Sequence, residues 1–304
     1  MKKLVLLFAK GVAMGAADVV PGVSGGTIAF VTGIYDELLK SIASLPRAGI
    51  ATLRGRFAEA WKAANGWFLP VLLTGIVCSL VTLAKLVTYL LESHPIPMWS
   101  FMFGLVLVSC FLVVRQVTEW RATTVAGLAA GALLGWWITV ASPIEWGTDY
   151  PSLFFAGAIA ISAMILPGLS GSFILLLLGL YPFILAAIHT FQFGVLAVFA
   201  SGCAFGLLAF AHVLRWMLAR WRNVALATLT GIMLGSLNKV WPWSVPLAGS
   251  DIATRNVLPW TYADLSGYES QWAAAVTAAV CGFLIVVIID RVARSQPTHG
   301  QIAQ

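Results

Sequence analysis

Charged residues are scarce in this sequence. The 304 residues include 18 Lys and Arg and 12 Asp and Glu, so that only 10% are charged, whereas a soluble domain has roughly a quarter. Hydrophobic residues make up 60% of the chain, and the mean hydropathy is +0.91. This composition excludes an ordinary soluble domain and predicts an integral membrane protein.

Cysteine is rare as well. The four cysteines, Cys78, Cys110, Cys203 and Cys281, stand singly in apolar segments, so neither a disulfide framework nor a metal site is predicted. The net charge of +6 could indicate nucleic acid, but the basic residues cluster at the ends of apolar segments. We therefore expect no metal, no cofactor and no nucleic-acid partner.

Six apolar segments are predicted to cross the membrane, for which about 20 mostly apolar residues are needed. They are residues 67–91, 98–114, 122–141, 195–214, 224–240 and 272–289.

The start, MKKLVLLFAK, resembles a secretory signal, but Lys10 limits its apolar core to six residues, fewer than the roughly 7 to 15 that a signal needs. We expect this segment to be retained.

The basic residues predict the topology. Fifteen of the 18 Lys and Arg fall on one side if the chain is threaded by the positive-inside rule, with Lys85, Lys239 and Arg255 as the exceptions. Both termini are then cytoplasmic. Two further apolar blocks, about 11–39 and 153–188, each enter and leave on the same side. They are predicted to be re-entrant hairpins.

The two blocks are copies of each other. When residues 11–42 are aligned without a gap with 157–188, eleven of 32 positions are identical, and these include Pro, Gly, Ser and Tyr as well as apolar residues. Each half, 1–150 and 151–304, is then a re-entrant helical hairpin followed by three transmembrane helices. Because three crossings invert the second half, the predicted fold is an all-α integral membrane protein with an inverted-topology repeat, whose ligand site lies between the halves.

Each hairpin carries a helix-breaking hexapeptide, PGVSGG at 21–26 and PGLSGS at 167–172. Pro followed by Gly suits a turn between two half-helices, and such broken backbone must be buried in protein or line a cavity. The predicted hairpin tips are Pro21, Gly22, Pro167 and Gly168. The small residues that follow would expose helix N-terminal amides that attract phosphate. The predicted phosphate-binding residues are Ser24, Gly25, Gly26, Thr27, Ser170, Gly171 and Ser172. Alternatively, the serines cap their own helices and the glycines allow close packing.

Three charged residues within apolar segments are candidate functional groups. Asp18, three residues before the first tip, is a candidate proton carrier because buried carboxylates often mark ion pathways; alternatively, it hydrogen-bonds the backbone of its own tip. Lys85 and Lys239 fall in the outer third of predicted spans. They are candidate phosphate-binding residues, although a lysine at that depth can also extend to the lipid headgroups.

Three segments carry a resemblance to a known family. GAADVVPGVSGGTIAFVTGIY, PGLSGSFILLLLGLY and GSLNKVWPW resemble the PopT family of bacterial membrane proteins, which has been implicated in polyprenyl-phosphate transport. The resemblance implies a translocase that returns undecaprenyl phosphate, the lipid carrier of cell-wall precursors, from the outer to the inner leaflet of the bacterial cytoplasmic membrane. It implies membrane lipids as partners and no enzymatic activity. Proton coupling and a homo-oligomer are left open.

Two other function classes use similar architectures. Undecaprenyl-pyrophosphate phosphatases resemble inverted repeats with re-entrant tips, but they have a Pro-Gly-x-Ser-Arg-Ser stretch and paired glutamates. Here Gly25 and Gly171 take the Arg position, and no Glu pair occurs in an apolar segment, so the groups that would stabilise the transition state are missing. A secondary transporter of a small soluble anion remains an alternative, and a closed aqueous cavity would distinguish it.

Overall fold

The chain is almost entirely helical. The computed structural model describes residues 2–19, 24–246 and 254–294, which form fourteen helices and one antiparallel β-hairpin. The helices are α1 (Lys2–Asp18), α2 (Gly25–Val31), α3 (Tyr35–Leu53), α4 (Phe57–Ala63), α5 (Phe68–Ser93), α6 (Pro95–Val114), α7 (Ala122–Val140), α8 (Tyr150–Ile165), α9 (Gly171–Leu177), α10 (Tyr181–His189), α11 (Phe193–Arg220), α12 (Arg222–Ser236), α13 (Pro259–Ser266) and α14 (Trp272–Arg294), and the strands are β1 (Ser244–Pro246) and β2 (Thr254–Asn256).

Five of these helices, α5, α6, α7, α11 and α14, are long and apolar enough to cross a membrane. A sixth crossing results if α9 and α10, which meet at 109°, are counted as one bent span. The prediction of an all-α, multi-pass membrane protein is confirmed. The helix at the predicted span 224–240 is shorter than predicted. Helix α12 has only 15 residues, and residues 237–239 continue as a turn with i to i−3 hydrogen bonds. Lys239 therefore lies in a turn and not in a helix.

Both apolar blocks contain a second break that the sequence analysis did not predict. In the first block α2 ends before Gly33, and in the second α9 ends before Gly179; the two glycines have φ values of +73° and +67°. A left-handed glycine commonly ends a helix, and these two occupy equivalent positions in the repeat. The predicted first tip, Pro21 and Gly22, lies outside the described residues.

The helix pairs of the two halves correspond. The pair α1 and α5 is matched by α8 and α11, and the pair α6 and α14 is matched by α12 and α7. Small residues allow close backbone approach in each pair: Gly11 lies against the Leu72 carbonyl, and Gly157 lies against the Phe199 carbonyl. This pairing agrees with a repeat. The inverted orientation of the halves stays a prediction.

The glycines of α7 contact a helix of the same chain. Gly131 lies against the Thr228 carbonyl, and Gly135 lies against the Ile232 carbonyl, both on α12. Helix α12 packs closely against α7 and also contacts α6, and 67% of the apolar segment of α6 is buried. Helices α6 and α12 thus link the two apolar blocks: α2 of the first block contacts α6, and Gly168 of the second block lies against Met233 and Ser236 of α12.

Candidate functional site

The two repeated motifs meet at a hydrogen-bonded contact, which we call the tip junction. The Ser24 hydroxyl donates to the Met164 carbonyl at 2.7 Å, and the Gly168 amide donates to the Thr27 hydroxyl at 3.0 Å. The Tyr35 hydroxyl donates to the Ile165 carbonyl at 3.1 Å. Residues more than a hundred positions apart are therefore joined directly, and the first motif is held against the second.

The end of α8 explains why this contact forms. Met164 and Ile165 are the last two residues of α8, and the final carbonyls of a helix have no partner within it. Burying them in a membrane protein without hydrogen-bond donors to their lone pairs would be costly. Side chains of the first block supply these hydrogen bonds, and Ser24 and Thr27 are fully buried. The junction is therefore a polar seam inside an apolar protein.

The N-terminus of α2 is already occupied by groups of the chain itself. The Ser24 hydroxyl accepts from the Gly26 amide at 3.0 Å, and an Asp18 carboxylate oxygen accepts from the Gly25 amide at 2.7 Å. A Cβ at Gly25 would lie 2.6 Å from the other Asp18 oxygen, so only glycine permits this approach. Asp18 thus stands where the sequence analysis placed a phosphate, and it makes the backbone hydrogen bond considered there as the alternative role.

The beginning of α9 is chemically different. Ser170 precedes the helix but makes no side-chain bond to its backbone; its hydroxyl instead lies 2.8 Å from the Ser172 hydroxyl. Met164 stands at the position equivalent to Asp18, so this end lacks an equivalent carboxylate. The N-terminus of α9 at Gly171 therefore has fewer hydrogen bonds from the chain's own side chains than the N-terminus of α2. Phosphate binding at either end stays a prediction.

A cavity of about 340 Å³ lies near the second motif, and we call it the outer cavity because the positive-inside pattern predicts that this side faces outward. It is lined by residues from the end of α7, the turn after α12 and strand β2, together with Phe173 and Leu177 of α9, which we call its base. The Lys239 ammonium lies 4.8 Å from the centre of the Phe173 ring. Arg255 lines the same cavity. The structure therefore places Lys239 beside the second motif.

Lys85 is not part of this arrangement. It lies on the exposed face of α5 and does not line the outer cavity, so the structure separates the two lysines that the sequence analysis treated together. Arg255 and its neighbour Asn256 were missed as site residues. One signal pointed to Arg255, since it was among the three basic residues that violated the positive-inside pattern.

The chain is similar to known proteins over most of its length. A family described as undecaprenyl phosphate translocase-like matches residues 14–255. A polyprenyl-phosphate transporter of Vibrio cholerae is 45% identical over 295 residues, which are 94% of this chain and 96% of that protein. A polyprenyl-phosphate transporter of Staphylococcus aureus is 28% identical over 257 residues, 77% of this chain and 84% of that protein. No solved structure matches the chain.

Proposed function

Because the chain belongs to the undecaprenyl phosphate translocase-like family, we propose that it moves undecaprenyl phosphate from the outer to the inner leaflet of the bacterial cytoplasmic membrane. The observation that carries the proposal is the tip junction, where hydroxyls and helix ends of both halves meet in buried hydrogen bonds and form a polar seam. A polyprenyl phosphate needs such a polar route for its headgroup while its tail stays in the lipid. The recognised family resemblance and the names of both relatives support this substrate class.

In the proposed cycle the two halves rock about the tip junction. The headgroup arrives from the outer side and reaches the Ser170 and Ser172 hydroxyls, which lie beside the junction and face no carboxylate equivalent to Asp18. Movement of the halves then opens the opposite side. The basic residues flanking the spans support cytoplasmic termini, whereas the direction of transport is what the family resemblance implies.

Transport by the wild-type chain is the direct test. Purified protein is reconstituted into vesicles that contain fluorescent polyprenyl phosphate, and the outer-leaflet fluorescence is quenched while phosphate release is followed in the same samples. We expect lipid movement without phosphate release. Phosphate release would indicate a phosphatase, and uptake of inorganic phosphate without lipid movement would indicate a soluble-anion transporter; either result overturns the proposal.

Asp18 is proposed to couple transport to protons. A hydrogen bond to a carboxylate is stronger than one to a neutral group, so protonation of Asp18 weakens its hold on the Gly25 amide and releases the α2 end. The transport rate of the wild type should therefore rise as the pH falls. Asp18→Asn keeps an acceptor for Gly25 but removes the charge, and we expect a rate that no longer depends on pH and matches the wild-type rate at low pH.

Asp149 provides a matched control for this experiment. Its carboxylate also accepts from a backbone amide, that of Ser152 at the start of α8, but the contact is exposed. Asp149→Asn should keep the wild-type pH profile. If Asp18→Asn retains the wild-type pH dependence as well, Asp18 is not the coupling group.

A further inference from the structure

The outer cavity has the features of a ligand-binding site. Its volume of about 340 Å³ lies within the range of roughly 300 to 1,000 Å³ that is usual for small-ligand pockets. Two cations, Lys239 and Arg255, line it, and no acidic side chain is among its described lining residues. The cavity therefore favours an anion.

The polar walls of the cavity are held in place by one another. The Asn238 side chain donates to the Thr139 hydroxyl at 3.0 Å, and the Asn256 side chain donates to the carbonyl and side-chain oxygens of Asn238 at 2.7 and 2.9 Å. These bonds join the end of α7, the turn after α12 and strand β2. Since Lys239 is next to Asn238 and Arg255 is next to Asn256, the network also fixes the backbone from which both cations extend.

The two cations differ in their surroundings. Lys239 is half-buried and its ammonium lies over the Phe173 ring, whereas Arg255 is exposed. Among the described residues neither forms an ion pair with a carboxylate. An aromatic ring face attracts a cation but does not neutralise its charge. Both can therefore contribute to the binding of a phosphate group.

The base of the cavity adds selectivity for a lipid. Phe173 and Leu177 contribute apolar surface to the cavity, with the Lys239 ammonium over the Phe173 ring, and Phe173 follows Ser172, whose hydroxyl belongs to the pair at the start of α9. A phosphate monoester on a prenyl chain offers an anion for the cations and a hydrocarbon for this base. Inorganic phosphate offers only the first.

We propose that the outer cavity is the site where the phosphate headgroup of the prenyl lipid first binds, with Lys239 and Arg255 as its charge partners. This proposal rests on the proposed function and specifies where the substrate enters. From the cavity the headgroup passes along Phe173 to the serine hydroxyls at the start of α9. The network around Asn238 positions the two cations and does not itself need to contact the ligand.

Binding of farnesyl phosphate to the full-length chain in detergent tests the site. We expect isothermal titration calorimetry to show that Lys239→Gln and Arg255→Gln each weaken binding by about tenfold, since a hydrogen bond to a charged group contributes about this much. The double variant should show a larger loss and a weaker dependence on salt. Lys239→Arg/Arg255→Lys, which keeps both charges, should restore most of the affinity.

A second double variant controls for total charge. Lys40→Gln/Lys62→Gln removes two exposed cations from α3 and α4 and should bind farnesyl phosphate like the wild type. Equal binding by the cavity double variant and the wild type would overturn the proposed site. Inorganic phosphate binding as tightly as farnesyl phosphate would overturn its assignment to a lipid headgroup. Both results are distinct from failure of the proposed function, which would appear as no lipid transport by the wild type.

Discussion

Replacing Gly168 with alanine is expected to reduce lipid transport by at least about tenfold, the equivalent of about 1.4 kcal/mol in an activation barrier. Gly168 has a φ of +87°, a conformation that costs an L-residue about 1–2 kcal/mol. A Cβ there would also lie 2.8 Å from the Met233 Cα and 2.7 Å from the Ser236 hydroxyl. Because α12 is held by its packing against α6 and α7, the second motif must move instead, and the bond from the Gly168 amide to Thr27 is then lost.

Gly33→Ala separates backbone strain from this steric contact. Gly33 has a similar φ of +73°, but a Cβ there would have no neighbour within 4 Å. This variant should lose about 1 kcal/mol of unfolding free energy and retain most of its transport. Transport rates in vesicles and denaturant unfolding in detergent measure both effects. Equal transport by the two variants would mean that the position of Gly168 against α12 does not matter for function.

The membrane fold was accessible from the sequence because it depends on composition and on local patterns. Sparse charge and long apolar segments predicted the spans, and α5, α7 and α14 begin within one residue of the predicted positions. The second break in each block was not predicted, although Gly33 and Gly179 were recognised as equivalent residues. A single glycine in an apolar segment is compatible with a continuous helix, and only the packed structure shows which glycines adopt a left-handed conformation.

The candidate site was only partly accessible for a different reason. The motif residues around Ser24 and Ser170 were predicted to bind phosphate at a site between the halves, and the structure brings the two motifs into contact. What their polar groups bind depends on the tertiary structure, since Met164 and Ile165 accept hydrogen bonds only because α8 ends beside the first motif. The β-hairpin brings Arg255 to the same cavity as Lys239, and spacing in the sequence contains no signal for that arrangement.

The unequal motifs suggest how one substrate can pass through a repeated fold. At the first motif Asp18 provides an internal anion for the α2 end, whereas at the second Met164 leaves the serine hydroxyls without such a group. An anionic substrate is therefore repelled from the first end for as long as Asp18 is ionised. Two identical ends would hold a phosphate equally well and would favour a trapped headgroup over a moving one.

Thr27→Val should destabilise the protein by about 1–3 kcal/mol, since it leaves the buried Gly168 amide without its acceptor. Valine has nearly the same shape as threonine, so packing changes little while the hydrogen bond at 3.0 Å disappears. Because this bond joins the two motifs about which the halves are proposed to rock, transport should fall by about tenfold or more. Unfolding in detergent and transport in vesicles are measured on the same preparation.

Thr230→Val is the matched control for Thr27→Val. Thr230 is also buried, but its hydroxyl donates to the Leu226 carbonyl of its own helix, so the substitution leaves no amide unpaired and should cost about 1 kcal/mol or less. Thr27→Ser retains the acceptor and should keep most of the transport. If Thr27→Val transports lipid as fast as Thr230→Val, the junction bond stabilises the fold without acting in the transport cycle, and the pivot must lie elsewhere between the halves.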